Sequence, residues 1–224
     1  MGKYYGYVSK SLSQSLWTFV VGYLIEHIGN MLLIWKLQKT KKIFGISIDS
    51  QICLLVATLG RCIWFTDTKL PTMNIAWAEL ISAIVLHAII IGLCYRYKDP
   101  SLYREPPLFL QAPVLLTVAF VMSLILHPGA KNETYFFTQQ MFVSFTMFAE
   151  ALSLLPQIYH MQTQHTVEGL TTSYLFLLGI SRFSRTYFWY TMGGSRISKF
   201  WYLIVADILN TALISGFAHK YRLI

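Results

Sequence analysis

The sequence predicts an all-α polytopic membrane protein with seven transmembrane helices. Three observations carry that expectation: a charge-poor composition, apolar runs long enough to cross a bilayer, and basic residues gathered in the gaps between them. Of 224 residues, 55% are hydrophobic and 12% charged, against roughly 25% charged in soluble globular chains. So little charge cannot coat a water-facing surface, and the mean hydropathy is +0.50. The net charge of +8 would suit nucleic acid, but Lys and Arg form no stripe interleaved with aromatic residues. Their loop placement points to a lipid bilayer and excludes nucleic acid as a partner. Cys53, Cys62 and Cys94 lie in apolar stretches without CxxC spacing, which argues against a disulfide framework and against a metal site.

A helix needs about 17–25 mostly apolar residues to span a bilayer. Span 1, 16–36, follows a polar stretch carrying Lys3 and Lys10; it is too long, and too polar at Glu26, His27 and Asn30, for a cleaved signal peptide. Span 2, 50–66, is short and opens at Asp49-Ser50, while span 3, 75–95, runs into Arg96. Span 4, 108–126, starts among Pro106, Pro107 and Pro113, residues that favour helix entry over helix interior. Span 5, 136–156, closes at Leu154-Leu155-Pro156-Gln157; span 6, 171–190, follows Gly169; span 7, 200–218, follows the Gly193-Gly194 turn.

Loop charges orient these spans. Lys36, Lys39, Lys41, Lys42, Arg96, Lys98, Arg104, Lys220 and Arg222 fall on one side, outnumbering Lys3, Lys10, Lys69, Lys131, Arg196 and Lys199 on the other. The richer side is expected to be cytosolic, with the N-terminus lumenal and the C-terminus cytosolic. The loop after span 4 is then lumenal and holds Asn132-Glu133-Thr134, a glycosylation sequon.

The chain also resembles itself at an offset of 124: Glu26, Gln38, Gly45 and Arg61 fall on Glu150, Gln162, Gly169 and Arg185. Each copy ends a span, turns through Gly-(apolar)-(Ser/Thr), and starts a span carrying an arginine. Parallel three-helix repeats are a known transporter plan. They divide a single membrane domain, 1–224, into repeat one (about 16–95), a linker span (about 108–126) and repeat two (about 136–218).

Glu26, Arg61, Glu79, Glu150, Arg182, Arg185 and Asp207 lie inside these spans, with His27 and His87. Each charge at the bilayer centre costs about 2.5–3.5 kcal/mol on insertion scales, so most must face a polar interior and pair. The alternative for any one of them, and most of all for Glu79 near its span end, is structural: a satisfied ion pair or a group snorkelling to water; His127 at the edge of span 4 is explained by solvation and His87 by packing. Arg61, Arg182 and Arg185 suit a bidentate carboxylate arriving from the lumen, and nearby acids such as Glu26 and Asp207 suit an ammonium or imidazolium. A short zwitterionic ligand fits this better than a sugar. No nucleophile–base constellation, HExxH, GxSxG or phosphate loop occurs, so the sequence points to binding or transport, not to an enzyme, and calls for no cofactor.

Three runs resemble the ER lumen protein-retaining receptors, or KDEL receptors. They are Gly45-Ile46-Ser47-Ile48-Asp49-Ser50-Gln51 followed by Arg61, Glu150-Ala151-Leu152-Ser153-Leu154-Leu155-Pro156-Gln157, and Tyr174-Leu175-Phe176-Leu177-Leu178-Gly179-Ile180-Ser181-Arg182. The resemblance implies seven spans in two triple-helix bundles, a PQ-loop or SWEET-like arrangement. It implies a receptor in the endoplasmic reticulum and cis-Golgi membrane that binds a C-terminal Lys/His-Asp-Glu-Leu tetrapeptide in the acidic Golgi lumen and returns in COPI vesicles. By position it assigns Arg61 to the peptide's terminal carboxylate, Glu150 and Arg182 to the same polar network, and Trp189 to the ligand cavity.

The sequence departs from that family at several of its functional positions. The tyrosine after the span-2 arginine is Cys62, and the acid three residues after it is Trp64. The tyrosine before the span-6 arginine is Ser181, and another three residues after it is Arg185. The span-5 acid is Gln140, the span-7 aspartate of return traffic is Gly216, and the span-1 histidine position is Tyr23. His27, a turn away, is the candidate for pH sensing. Ser181 and Leu126-His127-Pro128 resemble a divergent, receptor-related branch. The alternative on the same frame is a proton-coupled carrier of a sugar or amino acid.

Overall fold

The computed structural model describes residues 10–43, 45–65, 74–100, 103–127, 139–163, 169–193, 204, 205, 207, 208 and 212. Helix α1 is Lys10–Thr40, α2 Ile48–Phe65, α3 Asn74–Arg96, α4 Ala112–Ile125, α5 Gln139–Leu152, α6 Leu154–Thr163 and α7 Gly169–Gly193. A 3₁₀ turn, Leu108–Leu110, precedes α4. Among the described residues there is no strand, and three helical segments are long and apolar enough to cross a membrane: Trp17–Thr40, Asn74–Arg96 and Met141–Thr163.

The helix ends follow local chemistry. Lys41 at φ 51° and Gly45 at φ 71° turn the chain after α1; the lysine accepts a left-handed conformation that glycine would take at no steric cost. The Ser47 hydroxyl then accepts from Ser50 N at 3.3 Å, an N-cap for α2. Asp49, in the first turn of α2, reaches across to accept from Ala112 N at 2.8 Å, so one acid fastens the start of α4. Pro113 sits in the first turn of α4, where a missing N–H costs nothing. Span 5 runs past its expected end at 156 as two helices, α5 and α6, broken at Ser153. Pro156 cannot donate to the carbonyl one turn back, and the Ser153 hydroxyl donates to Glu150 O at 2.7 Å.

The residue pattern is inverted relative to a soluble bundle. On α7, Ser181, Arg182, Arg185 and Phe188 face inward, while Phe176, Ile180, Phe183 and Tyr187 face out. Arg182 and Arg185 are 0% exposed, yet Phe183 is 67% and Ile81 58% exposed. Polar inside and apolar outside is the arrangement that lipid demands. Helix α1 packs chiefly on α7, α2 on α5, and α3 on both α1 and α2.

Small residues set these distances. A Cβ on Gly22 would lie 3.0 Å from Ser181 O and 3.1 Å from Arg185 Cγ; one on Gly29 would lie 3.4 Å from Leu177 Cβ. The two glycines, seven residues apart on one face, let α1 approach the backbone of α7 closely. Gly60 does the same for α2 against α5, where a Cβ would meet Thr146 Cγ2 at 2.8 Å. At the far end of the bundle, Gln157 binds the turn before α2: its carbonyl oxygen accepts from Ser47 N at 2.9 Å, and its amide donates to Gly45 O.

Candidate functional site

Helices α1, α2, α3, α5 and α7 each bring ionisable residues to one buried cluster. Glu26 comes from α1, Arg61 from α2, Glu79 from α3, Glu150 from α5, and Arg182 and Arg185 from α7; Asp207, farther along the chain, is also buried. All seven residues that the sequence placed inside spans are therefore in the interior. Each of these side chains is buried.

The pairing is specific. Glu150 Oε2 accepts from Arg182 Nη1 and from Arg185 Nη1, so one carboxylate oxygen holds two guanidinium groups. Arg185 Nη1 also donates to the Tyr23 hydroxyl at 2.6 Å. Arg61 Nη2 donates to Glu79 Oε1 at 3.0 Å, and its guanidinium lies 3.6 Å from the centroid of the Tyr23 ring. Tyr23 thus stands between two arginines, its face toward Arg61 and its hydroxyl on Arg185. A desolvated cation over an aromatic face is stabilised by about 2 kcal/mol.

Of the two readings open to Glu79, the ion pair is the one realised: it is buried and paired with Arg61, because α3 turns that face against α2. One expectation is corrected here. His127 is not solvated but buried at the end of α4. His87 matches the packing expectation: its Nδ1 lies 3.4 Å from Gln51 Oε1, and its Nε2 lies 3.8 Å from Glu26 Oε1. Glu26 also accepts from the Ser181 hydroxyl at 3.3 Å.

His27 bridges α1 and α3. Its Nδ1 is 2.8 Å from Tyr23 O, an atom that can only accept, so Nδ1 carries a proton. Its Nε2 faces Glu79 O at 3.0 Å and Ser82 Oγ at 2.7 Å. A protonated Nε2 donates to the carbonyl; an unprotonated one accepts from the serine hydroxyl. Asp207 lies within electrostatic reach of Arg185 and Arg182. Trp189 is on α7, but its side chain, like that of Gln140 on α5, lies outside the described set, as do Asn132 and Gly216 altogether.

Three guanidinium groups against four carboxyl groups make the cluster nearly neutral. Its donors are not all used, however. Arg61 Nε, Arg182 Nε and Nη2, and Arg185 Nε and Nη2 are buried without a hydrogen-bond partner. Among the described residues no group of three or more His, Cys, Asp or Glu is placed to hold a metal ion. Sequence reasoning missed Tyr23 as a member of this cluster. Its position three residues before Glu26, on the same face of α1, was the available signal; a tyrosine among charges attracts less attention than an ion.

Around the far end of the bundle the structure has a groove of about 530 Å³ lined by Asp49, Tyr95, Lys98, Tyr103, Glu105 and Gln111 among others. Lys98 pairs with Glu105 at 3.1 Å, and burial pushes the Tyr103 phenol well above its ordinary range. This region is built from the loop before α4 and is separate from the arginine cluster.

Apolar faces turned outward and a charge-paired polar interior define a helical membrane protein. A family model described as the ER lumen protein retaining receptor matches residues 42–192. The chain belongs to that family. It is 27% identical to the ER lumen protein-retaining receptor of Dictyostelium discoideum over 68% of this chain and 69% of the relative. It is 28% identical to ER lumen protein-retaining receptor A of Arabidopsis thaliana, covering 85% and 86% of the two chains. A Caenorhabditis elegans receptor of the same description is 24% identical over 85% of each chain. The family match begins at Lys42, so Tyr23, Glu26 and His27 of α1 lie outside it.

Proposed function

We propose that this chain is a retrieval receptor: it binds the C-terminal retention signal of proteins that have escaped the endoplasmic reticulum and carries them back from the Golgi. The observation that supports this reading is the arginine cluster. Arg182 and Arg185 converge on Glu150 while keeping unpaired N–H groups in a buried setting. A carboxylate is the natural complement of such groups, since charge-assisted bonds to a guanidinium fork are about twice as strong as neutral ones. Glu150, Arg61, Arg182, Arg185 and Trp189 are the proposed ligand-facing residues, with Glu26 and Asp207 as supporting acids and His27 as the pH-sensing group.

The accompanying topology is seven spans, as two three-helix repeats around a linker span, in one domain over 1–224. The N-terminus is lumenal and the C-terminus cytosolic, where COPI machinery engages the loaded receptor in the cis-Golgi and endoplasmic reticulum membranes. Glycan attachment at Asn132 would support this orientation; a cytosolic Asn132 would refute it. A proton-coupled solute carrier on the same frame has no support from the family match.

The deciding experiment is peptide affinity against pH, using purified protein, C-terminal retention tetrapeptides and a scrambled control. Binding at about pH 5.5, where an ordinary imidazole is mostly charged, and release near neutrality is the expected result. A protein that binds no tetrapeptide at either pH sinks the proposal.

A further inference from the structure

The groove at the far end of the bundle is built differently from the buried cluster. Helices α3 and α4 each contact α2, and the groove draws on all three, with Ile52 of α2 and Pro113 and Leu116 of α4 giving it an apolar side. Its other side is charged, carrying Lys98, Glu105 and Asp49. A lysine at the end of a spanning helix ordinarily extends its ammonium away from the apolar surface into water. Lys98 instead stays with the groove, donating from Nζ to Glu105 Oε1 at 3.1 Å and lying 4.7 Å from the centroid of the Tyr103 ring. That ring is itself fixed: its hydroxyl accepts from Ile48 N at 3.3 Å, and its centroid lies 4.6 Å from that of the His160 ring. Asp49 is likewise held, accepting from Ala112 N at 2.8 Å. The charges are thus positioned in advance of any occupant.

We propose that this groove seats the headgroup of a zwitterionic phospholipid with a primary ammonium, a phosphatidylethanolamine. Lys98 takes the phosphate, Glu105 and Asp49 take the ammonium, and the first acyl carbons lie along Ile52, Pro113 and Leu116. Charge is the first observation that selects this occupant. One lysine against two acids leaves the groove with a surplus negative charge, while Arg96 and Arg104, which adjoin it in the chain, are exposed. Mixed sign suits a headgroup that carries both signs, and an ammonium that donates hydrogen bonds satisfies carboxylates as a trimethylammonium cannot. Location is the second. Tyr95, Leu108 and Phe109 turn outward at this end of the bundle, and farther along α3 and α4 so do Ile89 and Val118. Apolar and aromatic side chains exposed beside charged groups mark the membrane–water interface, where phospholipid headgroups lie. The volume of about 530 Å³ falls within the range of about 300–1,000 Å³ for small-molecule sites. The inference goes beyond the retrieval-receptor reading and does not depend on it, since the groove and the arginine cluster share no residue.

The experiment is native mass spectrometry of the full chain in detergent, titrated with phosphatidylethanolamine, phosphatidylcholine, phosphatidylglycerol and the soluble headgroup glycerophosphoethanolamine. One phosphatidylethanolamine should be retained with about tenfold higher affinity than either other lipid, as expected for a hydrogen bond to a charged group. Glycerophosphoethanolamine should not displace it. Glu105→Gln should cut the preference over phosphatidylcholine to about threefold or less, because the ammonium loses a charged acceptor. Lys98→Gln should weaken retention of phosphatidylethanolamine by about tenfold, through loss of the phosphate contact. Leu116→Trp fills the apolar side without touching the charges; it should abolish retention, and it supplies an independent measurement if a charge variant does not fold. Equal retention of the three lipids would overturn the proposal, as would a phosphatidylethanolamine preference that survives in both Lys98→Gln and Leu116→Trp. Displacement by glycerophosphoethanolamine would assign the groove to a soluble ligand and overturn it as well. Tetrapeptide affinity should be unchanged in all three variants, so a failure here leaves the receptor reading intact, and a chain that binds no tetrapeptide leaves the lipid seat intact.

Discussion

Glu150 and Arg185 meet at a single carboxylate oxygen, Oε2, which also accepts from Arg182. One acid from α5 therefore ties down two cations on α7, and neither cation has any access to water. Removing one partner of a buried ion pair costs about 3–5 kcal/mol, because the remaining charge is left uncompensated. Glu150→Gln should therefore lower the thermal midpoint of the detergent-solubilised protein markedly, more than substitution of any single lipid-facing residue of α7 such as Phe183. An unchanged midpoint would mean that the two guanidinium groups find another acid.

Arg61 and Glu79 provide a second, separable pair on α2 and α3. A double-mutant cycle with Arg61→Met and Glu79→Gln should give a coupling of about 0.5–3 kcal/mol, the range for residues in direct contact. Had Glu79 reached out to water instead, the two substitutions would act independently. Additive changes in stability would thus contradict the pairing.

The close crossing of α2 and α5 makes a steric prediction with an internal control. Gly60→Ala places a methyl group 2.8 Å from Thr146 Cγ2, whereas Gly92→Ala meets nothing within 4 Å. Overpacking of this kind costs about 1–3 kcal/mol, so Gly60→Ala should reduce folded yield and melting temperature. Gly92→Ala should be neutral or stabilising by up to about 1 kcal/mol, as alanine replaces glycine inside a helix. Equal behaviour of the two variants would show that α2 can retreat from α5 at little cost.

His27 joins α1 to α3 in a way that depends on its proton. Its Nε2 has two possible partners, Glu79 O at 3.0 Å, which needs a donor, and Ser82 Oγ at 2.7 Å, which can donate to it, and the proposal that His27 senses pH rests on that choice. Anion binding should strengthen as pH falls. In His27→Gln, which keeps a hydrogen bond but cannot titrate, the slope of peptide affinity between about pH 5 and 7, the range over which histidine changes charge, should flatten. A slope that survives in full would move the sensing to another group; His87, beside Glu26 at 3.8 Å, is the next to examine.

Much of this was legible without coordinates. Isolated charges in apolar runs announce themselves, and Glu26, Arg61, Glu79, Glu150, Arg182, Arg185 and Asp207 are indeed all interior. The Leu154-Leu155-Pro156-Gln157 run was recognisable too, though not its work: Gln157 clamps Gly45 and Ser47, residues more than a hundred positions away. Tyr23 was overlooked as a cluster member, and the sequence left Glu79 open between an ion pair and an exit to water, a choice that Arg61 opposite it decides. His127 illustrates the same limit, since a place near a span end does not reveal whether the side chain points to solvent or to the bundle.

The sequence by itself determined that the chain is helical, lipid-exposed and burdened with interior charge, because the cost of placing a charge in an apolar run is a local quantity. Family membership was likewise carried by short contiguous runs. Which acid holds which arginine was decided only by tertiary structure. That choice depends on the rotation and depth of each helix, and these follow from the close approach of α1 to α7 at Gly22 and Gly29 and of α2 to α5 at Gly60. Those contacts turn Glu150 toward both Arg182 and Arg185, give Glu79 to Arg61, and leave two guanidinium edges without a protein partner.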